Sequence, residues 1–312
     1  MLRLVIFLLR RLIICILAMF FIITLTFFMM KALPGGPFSK EKKLPPMVMA
    51  KIEEKYRLND PLFKQYVDYL CRIARMDLGP SFRYPNRTVN DIIKSGFPVS
   101  ATIGAAAVFF ALVFGTIAGL IAGLRPFNAA DRILILVSAI GFSVPSFVMA
   151  GILQHFLSFR LGILPAALWG SPQHAVMPVI VLSILPLAVI SRLIRTQVIE
   201  VMQQDYIILA KAKGLSFGRI LLFHIMPNIL PPVITYLGPL IAAIFTGSFV
   251  VEHVFAIPGL GKFFVTSIYN RDYTLIMGIT IFYSGFLMAM NLLVDLVYAL
   301  LNPQVKYPGW EE

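Results

Sequence analysis

Charge is scarce in this chain. Only 13% of its 312 residues are Asp, Glu, Lys or Arg, and the acidic ones are outnumbered 15 to 27. A water-soluble domain ordinarily carries about 25% charged residues, so a soluble globular fold is excluded at the outset. The two cysteines, Cys15 and Cys71, are too few for a disulfide framework and show no metal-type spacing. One falls in an apolar run and the other in a polar stretch, so they are not expected to pair. No G-x-x-x-x-G-K-[ST] segment offers a phosphate cradle, and no H-E-x-x-H pair offers a zinc site; His155, His174, His224 and His253 are scattered. Ser143, Ser146 and Ser248 have no evident base partner, and hydroxyl groups in apolar helices more often bridge helices than attack substrates. Catalysis by this chain is therefore not expected, nor a cofactor or metal of its own. The net charge of +12 is spread over loops and the flanks of apolar runs, which argues against nucleic acid as a partner.

Hydrophobicity is abundant: 59% of the residues are apolar and the mean hydropathy is +0.85. A membrane-crossing helix needs about 20 mostly apolar residues. Six runs qualify: Leu12 to Met30, Pro98 to Leu124, Ile133 to Phe159, Ala175 to Ile190, Ile229 to Val251 and Leu275 to Leu301. The fourth is short and carries Pro178 and Pro186. The expected fold is an all-α membrane protein of six transmembrane helices, with both termini on one side of the bilayer. The first run exceeds the ~15 residues of a signal-peptide core and is followed by KALPGGPF, with no small-x-small cleavage site, so it reads as a retained anchor.

Orientation follows from basic residues near short loops, which favour the cytoplasm. Arg3, Arg10 and Arg11 place the N-terminus inside, and Arg125, Arg132, Arg192, Arg195, Lys211, Lys213, Arg219 and Lys306 fall on the same side. The short outer loops offer only Arg160, Lys262 and Arg271. The segment Lys31 to Phe97 is basic yet external on this topology; it exceeds the roughly 60 residues over which the rule is reliable. Within it, Glu41 to Arg75 reads as helical. Asp60 is the expected N-cap and Pro61 the first helical residue, with Leu62, Tyr66, Tyr69, Leu70 and Ile73 on one apolar face against Lys64, Asp68 and Arg72. The chain thus divides into residues 1–30 (tail and first span), 31–97 (extracytoplasmic segment) and 98–312 (membrane core).

The core contains one polar interruption, QQDYIILAKAKGLSFGRILLFHIMPNILPP from Gln203 to Pro232. Asp205, Lys211 and Lys213 alternate there with the small residues Ala210, Ala212 and Gly214, a composition suited to close docking of a partner. Gly214 is expected to break the helix, Ser216 to cap the next one, and Pro227 and Pro231-Pro232 to close or kink it. Elsewhere, GTIAG at Gly115 to Gly119 has small-residue spacing for tight helix packing. Pro145, Pro178, Pro186 and Gly238-Pro239 break up the spans, either to line a pathway or to kink for packing. Glu252 and His253 are expected as a solvated pair at the outer end of the fifth span, with a substrate-contacting role as the alternative. Asn291 and Asp295 lie near the inner end of the sixth, where a structural hydrogen bond and a moving gate are equally open.

These motifs resemble those of the permease subunits of binding-protein-dependent ABC importers. The form D-Y-x-x-x-A-x-A-K-G-L-S at Asp205 to Ser216 is similar to the cytoplasmic loop of the oligopeptide/dipeptide branch, with Ile208 and Leu209 where other branches have Glu-Ala. PGGPF at Pro34, NDPLFKQYVDYL at Asn59, DLGPSF at Asp77, EHVFAIPGLG at Glu252, NRDYTLIMG at Asn270 and NLLVDLVYALLNPQVKY at Asn291 extend the resemblance along the whole chain, to the B-type subunit. Arg57-Leu58-Asn59-Asp60 and Met76-Asp77-Leu78-Gly79 depart from the family's usual Gly-Leu-Asp and Gly-Asp-Leu-Gly. The resemblance implies a bacterial inner-membrane protein that forms half of a peptide pathway. Its implied partners are a second homologous permease, two ABC ATPase subunits that carry ATP and Mg, and an extracytoplasmic binding protein. It also implies that the loop 203–228 couples to an ATPase through Asp205, Tyr206, Ala210, Ala212, Lys213 and Gly214. Related permeases carry chelated nickel, glutathione or peptide antibiotics. A secondary transporter, which would need ion-coupling carboxylates within the spans, is the other-class alternative.

Overall fold

The structure, a computed structural model, describes residues 2–34, 59–245 and 249–301, together with Met47, Glu54 and Arg57. Ser248, Lys306 and most of Glu41 to Leu58 lie outside the described residues, as do most of PGGPF and the end of the last motif. The helices are α1 (Leu2–Ala32), α2 (Leu62–Ala74), α3 (Val89–Leu124), α4 (Ala129–Ser143), α5 (Ser146–Leu153), α6 (Pro172–Met202), α7 (Asp205–Ala212), α8 (Phe217–Ile220), α9 (Met226–Phe245), α10 (Phe249–Val254), α11 (Leu260–Asn270) and α12 (Tyr273–Leu301). Wide π-helical turns extend α5 through Gln154–Arg160 and join α8 to α9 through Leu221–Ile225.

Among the described residues, five stretches are long and apolar enough to cross a membrane: Leu9–Ala32, Val89–Leu124, Pro172–Met202, Phe217–Val254 and Tyr273–Val297. A sixth is broken. The expected third span is two helices, Ala129–Ser143 and Ser146–Arg160, bent by 106°. The cause is Pro145. Val144 before it is extended at φ −90°, ψ 119°, as the proline ring requires of its predecessor. Pro178 and Pro186 behave differently, since both lie inside the 31-residue α6, far longer than the run expected there. Nor do Pro227, Pro231 and Pro232 end a helix. The π-helical turn immediately precedes Met226, and α9 runs on through Phe245 with the proline pair inside it. Asp60 is not the N-cap of α2; Pro61 holds that position at ψ 140°, and Asp60 instead pairs with Lys64 at 3.1 Å.

The described residues fall into two compact units, one within Met1–Pro98 and Gly259–Gly285, the other within Val99–Pro258 and Phe286–Glu312. In the first, α2 lies on α1: the Tyr66 and Thr24 hydroxyls are 2.7 Å apart, and the Phe27 ring packs on those of Tyr66 and Tyr69. Burial pushes the Tyr69 phenol above its ordinary pKa. Thr88 and Asp91 cap α3 reciprocally, Asp91 N–H donating to Thr88 Oγ1 at 3.1 Å and Thr88 N–H to Asp91 Oδ2 at 3.0 Å. Asp272, wholly buried, accepts from the Ser81 hydroxyl, from the backbone N–H groups of Phe82 and Arg83 at 3.2 and 3.3 Å, and from Thr274 Oγ1 at 2.9 Å. It also caps α12 through Leu275 N–H at 3.2 Å.

In the second unit α6 is central. Ile190, Ile194, Val198 and Val201 form a core with Ala107 and Ala111 of α3 and Ile229 and Val233 of α9. The small-residue spacing in α3 does what it suggests and extends one step further. A Cβ on Gly115 would lie 3.1 Å from Ile190, one on Gly119 2.5 Å from the Ser191 carbonyl oxygen, and one on Gly123 2.8 Å from Val198. The two backbones meet where no side chain fits.

Candidate functional site

The polar interruption is a helix–turn–helix at the end of α6. Gln204 stands at the N-cap of α7 with extended dihedrals, and Asp205 puts a negative charge in the first turn, where the helix dipole favours it. The stop is a Schellman motif: Gly214 N–H donates to the Lys211 carbonyl at 2.9 Å and Leu215 N–H to that of Ala210 at 3.2 Å. That geometry requires the left-handed backbone found at Gly214, φ +73°. Ser216 has the N-cap backbone of α8, but its side chain makes no capping hydrogen bond.

One face of this hairpin is fixed. Ile207, Ala210 and Ile220 are buried in the same core as Ile194, Val198 and Val201 of α6, with Leu215 packed against it. The other face is open. Asp205, Tyr206, Ala212, Lys213 and Gly214 are exposed, as are the apolar side chains of Ile208, Leu209 and Phe217. Of the six residues expected to dock a partner, five therefore share the open surface, whereas Ala210 faces inward and anchors the hairpin. Leu215, which the sequence places in the turn, also packs inward, and Phe217 is an exposed apolar residue whose position beside a polar turn is its available signal. The open side is a small, partly apolar platform with a cationic rim, joined rigidly to α6.

The polar groups of the spans are more buried than their sequence positions suggest. Glu252 is not solvated. It is 3% exposed and accepts a hydrogen bond from Ser100 Oγ at 2.7 Å, tying α10 to α3, whereas its neighbour His253 is exposed. The reason is the turn that follows, in which Ile257 N–H returns to the Glu252 carbonyl at 2.8 Å and Phe255 and Ile257 are drawn into the core around it. Asn291 and Asp295 are half-buried on α12. Asp131, which sequence reading passed over, is 1% exposed at the start of α4 and is held by Arg195 of α6. The signal was available: opposite charges stood at the edges of two apolar runs.

Residues 115–307 match the family described as binding-protein-dependent transport system inner membrane component, and residues 1–104 match the N-terminal family of such membrane components. The dipeptide transport system permease protein DppB of Bacillus subtilis is 47% identical over 285 residues, 91% of this chain and 92% of that protein. The oligopeptide transport system permease proteins OppB of Haemophilus influenzae and Escherichia coli K12 are 44% and 42% identical, each over 96% of this chain and 99% of their own length. Among solved structures, the MetNI methionine ABC transporter in inward-facing conformations aligns with TM-score 0.55 at 16% identity, over 67% of this chain and 96% of that one. An amino acid ABC transporter with histidines aligns with TM-score 0.51 at 15% identity, over 69% and 95%. Both share its fold over the aligned part of the chain.

Proposed function

The chain belongs to the family of binding-protein-dependent transport system inner membrane components, and from that premise we propose that it is one permease subunit of an ATP-driven importer of di- or oligopeptides. The observation that supports this reading best is the hairpin at Asp205–Ile220, whose inner face is built into the core of α6 and whose outer face is left open. A partner that seats on the open face and moves would carry α6 with it, and α3 through the glycine contacts. The partner that fits is a nucleotide-hydrolysing subunit beneath each of two permeases. ATP and Mg reside on those subunits, and this chain is non-catalytic. A second homologous permease completes the pathway, and an extracytoplasmic binding protein delivers the peptide. Both termini and the hairpin face the cytoplasm, and the segment after α1 faces outward.

Glu252, His253, Asn291 and Asp295 are the residues assigned to the gate or pathway. Peptide is favoured over chelated nickel, glutathione or a peptide antibiotic because relatives at 47% and 44% identity are named dipeptide and oligopeptide permeases. An ion-coupled secondary transporter loses support from the engaged state of the buried carboxylates Asp131 and Glu252. The test is affinity purification of the tagged chain from its native membrane in mild detergent, with mass spectrometry of what accompanies it. A second six-span permease and P-loop ATPases are expected; a chain that transports peptide alone in proteoliposomes overturns the proposal.

A further inference from the structure

The first unit carries a group of arginines that the transport reading leaves unused. A cleft of about 690 Å³ is lined by Arg57, Arg72 and Arg87, together with Ser81, Thr88 and Thr274, whose hydroxyls donate to Asp272, Asp91 and the Pro80 carbonyl, and among the described residues no carboxylate lines it. Arg57 is only loosely engaged, 3.7 Å from Asp68 with both side chains well exposed. Arg87 donates to the Ser95 hydroxyl at 2.8 Å and lies over the Phe263 ring, with the Asp91 carboxylate close enough to feel its charge but not in direct contact. Among the described residues no side-chain partner holds the Arg72 guanidinium. Three arginines around one concavity, of which Arg57 alone has a carboxylate within 4 Å among the described residues, offer guanidinium donors to an oxyanion.

Two adjoining hollows suggest what carries the anion. Arg57, Arg72, Phe82 and Thr274 also line a second cleft, which reaches Phe27, Met30 and Met277. Of its carboxylates, Asp60 is held by Lys64 at 3.1 Å and Asp68 is loosely paired with Arg57 at 3.7 Å. Met30 and Tyr273 in turn line a third, mostly apolar groove with Leu33, Ile268 and Ile276. The polar-to-apolar sequence runs across the ends of three spans. Met30 and Leu33 belong to the C-terminal end of the first, Thr88 immediately precedes α3, and Thr274 lies in the first turn of α12. On the topology proposed above these ends lie on the outer side, and a bilayer matched to the apolar lengths of the spans would bring its outer headgroups near them.

We propose that this composite cleft binds the phosphate of an anionic phospholipid through Arg57, Arg72 and Arg87, with an acyl chain along the Met30–Ile268–Ile276 groove. Exposed guanidinium groups in water bind phosphate weakly. At the interface they gain from the negative lipid surface, and the apolar groove adds contact that a free ion cannot make.

The test uses the assembled transporter, delipidated in neutral detergent and titrated separately with dioleoyl phosphatidylglycerol, dioleoyl phosphatidylcholine and inorganic phosphate, with bound lipid counted by native mass spectrometry. Wild type should bind phosphatidylglycerol roughly twentyfold more tightly than an Arg72→Gln/Arg87→Gln variant, at about a factor of five per arginine. Arg72→Lys/Arg87→Lys should retain most of the affinity, and Arg160→Gln, an exposed arginine outside the cleft, should retain all of it. Equal phosphatidylglycerol binding by wild type and the glutamine variant overturns the proposal. So does release of the lipid by millimolar inorganic phosphate, which would mark a site for the free ion. If the double variant fails to assemble, exposed Arg72→Gln alone carries the test, with an expected loss of about fivefold.

Discussion

Arg195 grips the buried carboxylate of Asp131 with two donors, Nε to Oδ1 and Nη2 to Oδ2, the latter at 2.8 Å. The same carboxylate accepts the Phe127 backbone N–H at 2.8 Å, and the Asn128 side chain caps Asp131 N–H at 2.9 Å. The start of α4, the turn before it and the middle of α6 are thereby joined at one point. Such a bidentate pair fixes orientation as well as distance. It lies on the helix that ends in the docking hairpin, so it ties the broken α4–α5 span to whatever moves α6.

Removing one member of this pair should cost more than removing both. Asp131→Ala leaves a guanidinium facing a buried, apolar site and is expected to destabilise the chain by about 3 kcal/mol, discounted from the upper range because Arg195 is 20% exposed and can turn toward water. The double variant Asp131→Leu/Arg195→Met should recover at least half of that loss. Thermal unfolding of the four chains in detergent measures it. Additive losses would mean that the two side chains act independently.

The close approach of α3 and α6 makes a graded prediction. Gly119→Ala places a methyl 2.5 Å from the Ser191 carbonyl oxygen, a distance that demands movement of the backbone, whereas Gly115→Ala meets Ile190 at 3.1 Å and the Leu187 carbonyl oxygen at 3.2 Å, where a few tenths of an ångström suffice. Gly119→Ala should cost about 2–3 kcal/mol and Gly115→Ala under about 1 kcal/mol. Gly123→Ala should fall between. Equal melting temperatures for all three would show that the helices separate freely.

In the first unit, Asp272 is an acceptor for Ser81 from 191 residues away and for four further donors. Asp272→Asn is therefore not conservative, since one carboxylate oxygen becomes a donor facing other donors. A loss of about 2–4 kcal/mol is expected, against about 1 kcal/mol for Ser81→Ala, which leaves the other four bonds in place. Limited proteolysis should find the Met76–Thr88 loop cut much faster in Asp272→Asn than in Ser81→Ala.

These relationships mark the limit of what sequence patterns disclose. Hydrophobic runs located every span, and the Gly214 break and the small-residue stripe of α3 were readable because they depend on residues within one or two turns of each other. The pairs Asp131–Arg195 and Ser81–Asp272 join residues 64 and 191 positions apart, and no periodicity reports a contact over such separations. Proline was ambiguous for a related reason. Pro145 breaks a span and Pro178 and Pro186 do not, because the cost of a missing N–H depends on whether packing around the helix keeps it straight, and that is tertiary information. Glu252 was misplaced in the same way: the turn that buries it is set by Phe255 and Ile257 entering a core that the local sequence does not contain.

Gly214 separates backbone strain from partner contact. Its φ of +73° suits Gly and Asn, and other residues adopt it at a cost of about 1–2 kcal/mol. A Cβ built there meets nothing within 4 Å, so a large side chain has room in the chain by itself. Gly214→Asn should preserve the turn, while Gly214→Ala and Gly214→Trp should carry the same backbone penalty and insert into the membrane equally well. If the open face of the hairpin is where an ATPase subunit seats, the tryptophan alone should prevent seating, giving normal expression, lost co-purification of the ATPase and peptide uptake reduced by more than tenfold, while alanine loses at most a few-fold. Uptake in reconstituted vesicles, measured beside expression and pull-down, distinguishes the cases. Equal losses for alanine and tryptophan would assign the glycine to turn geometry alone, and full uptake with tryptophan would remove the hairpin from the coupling path.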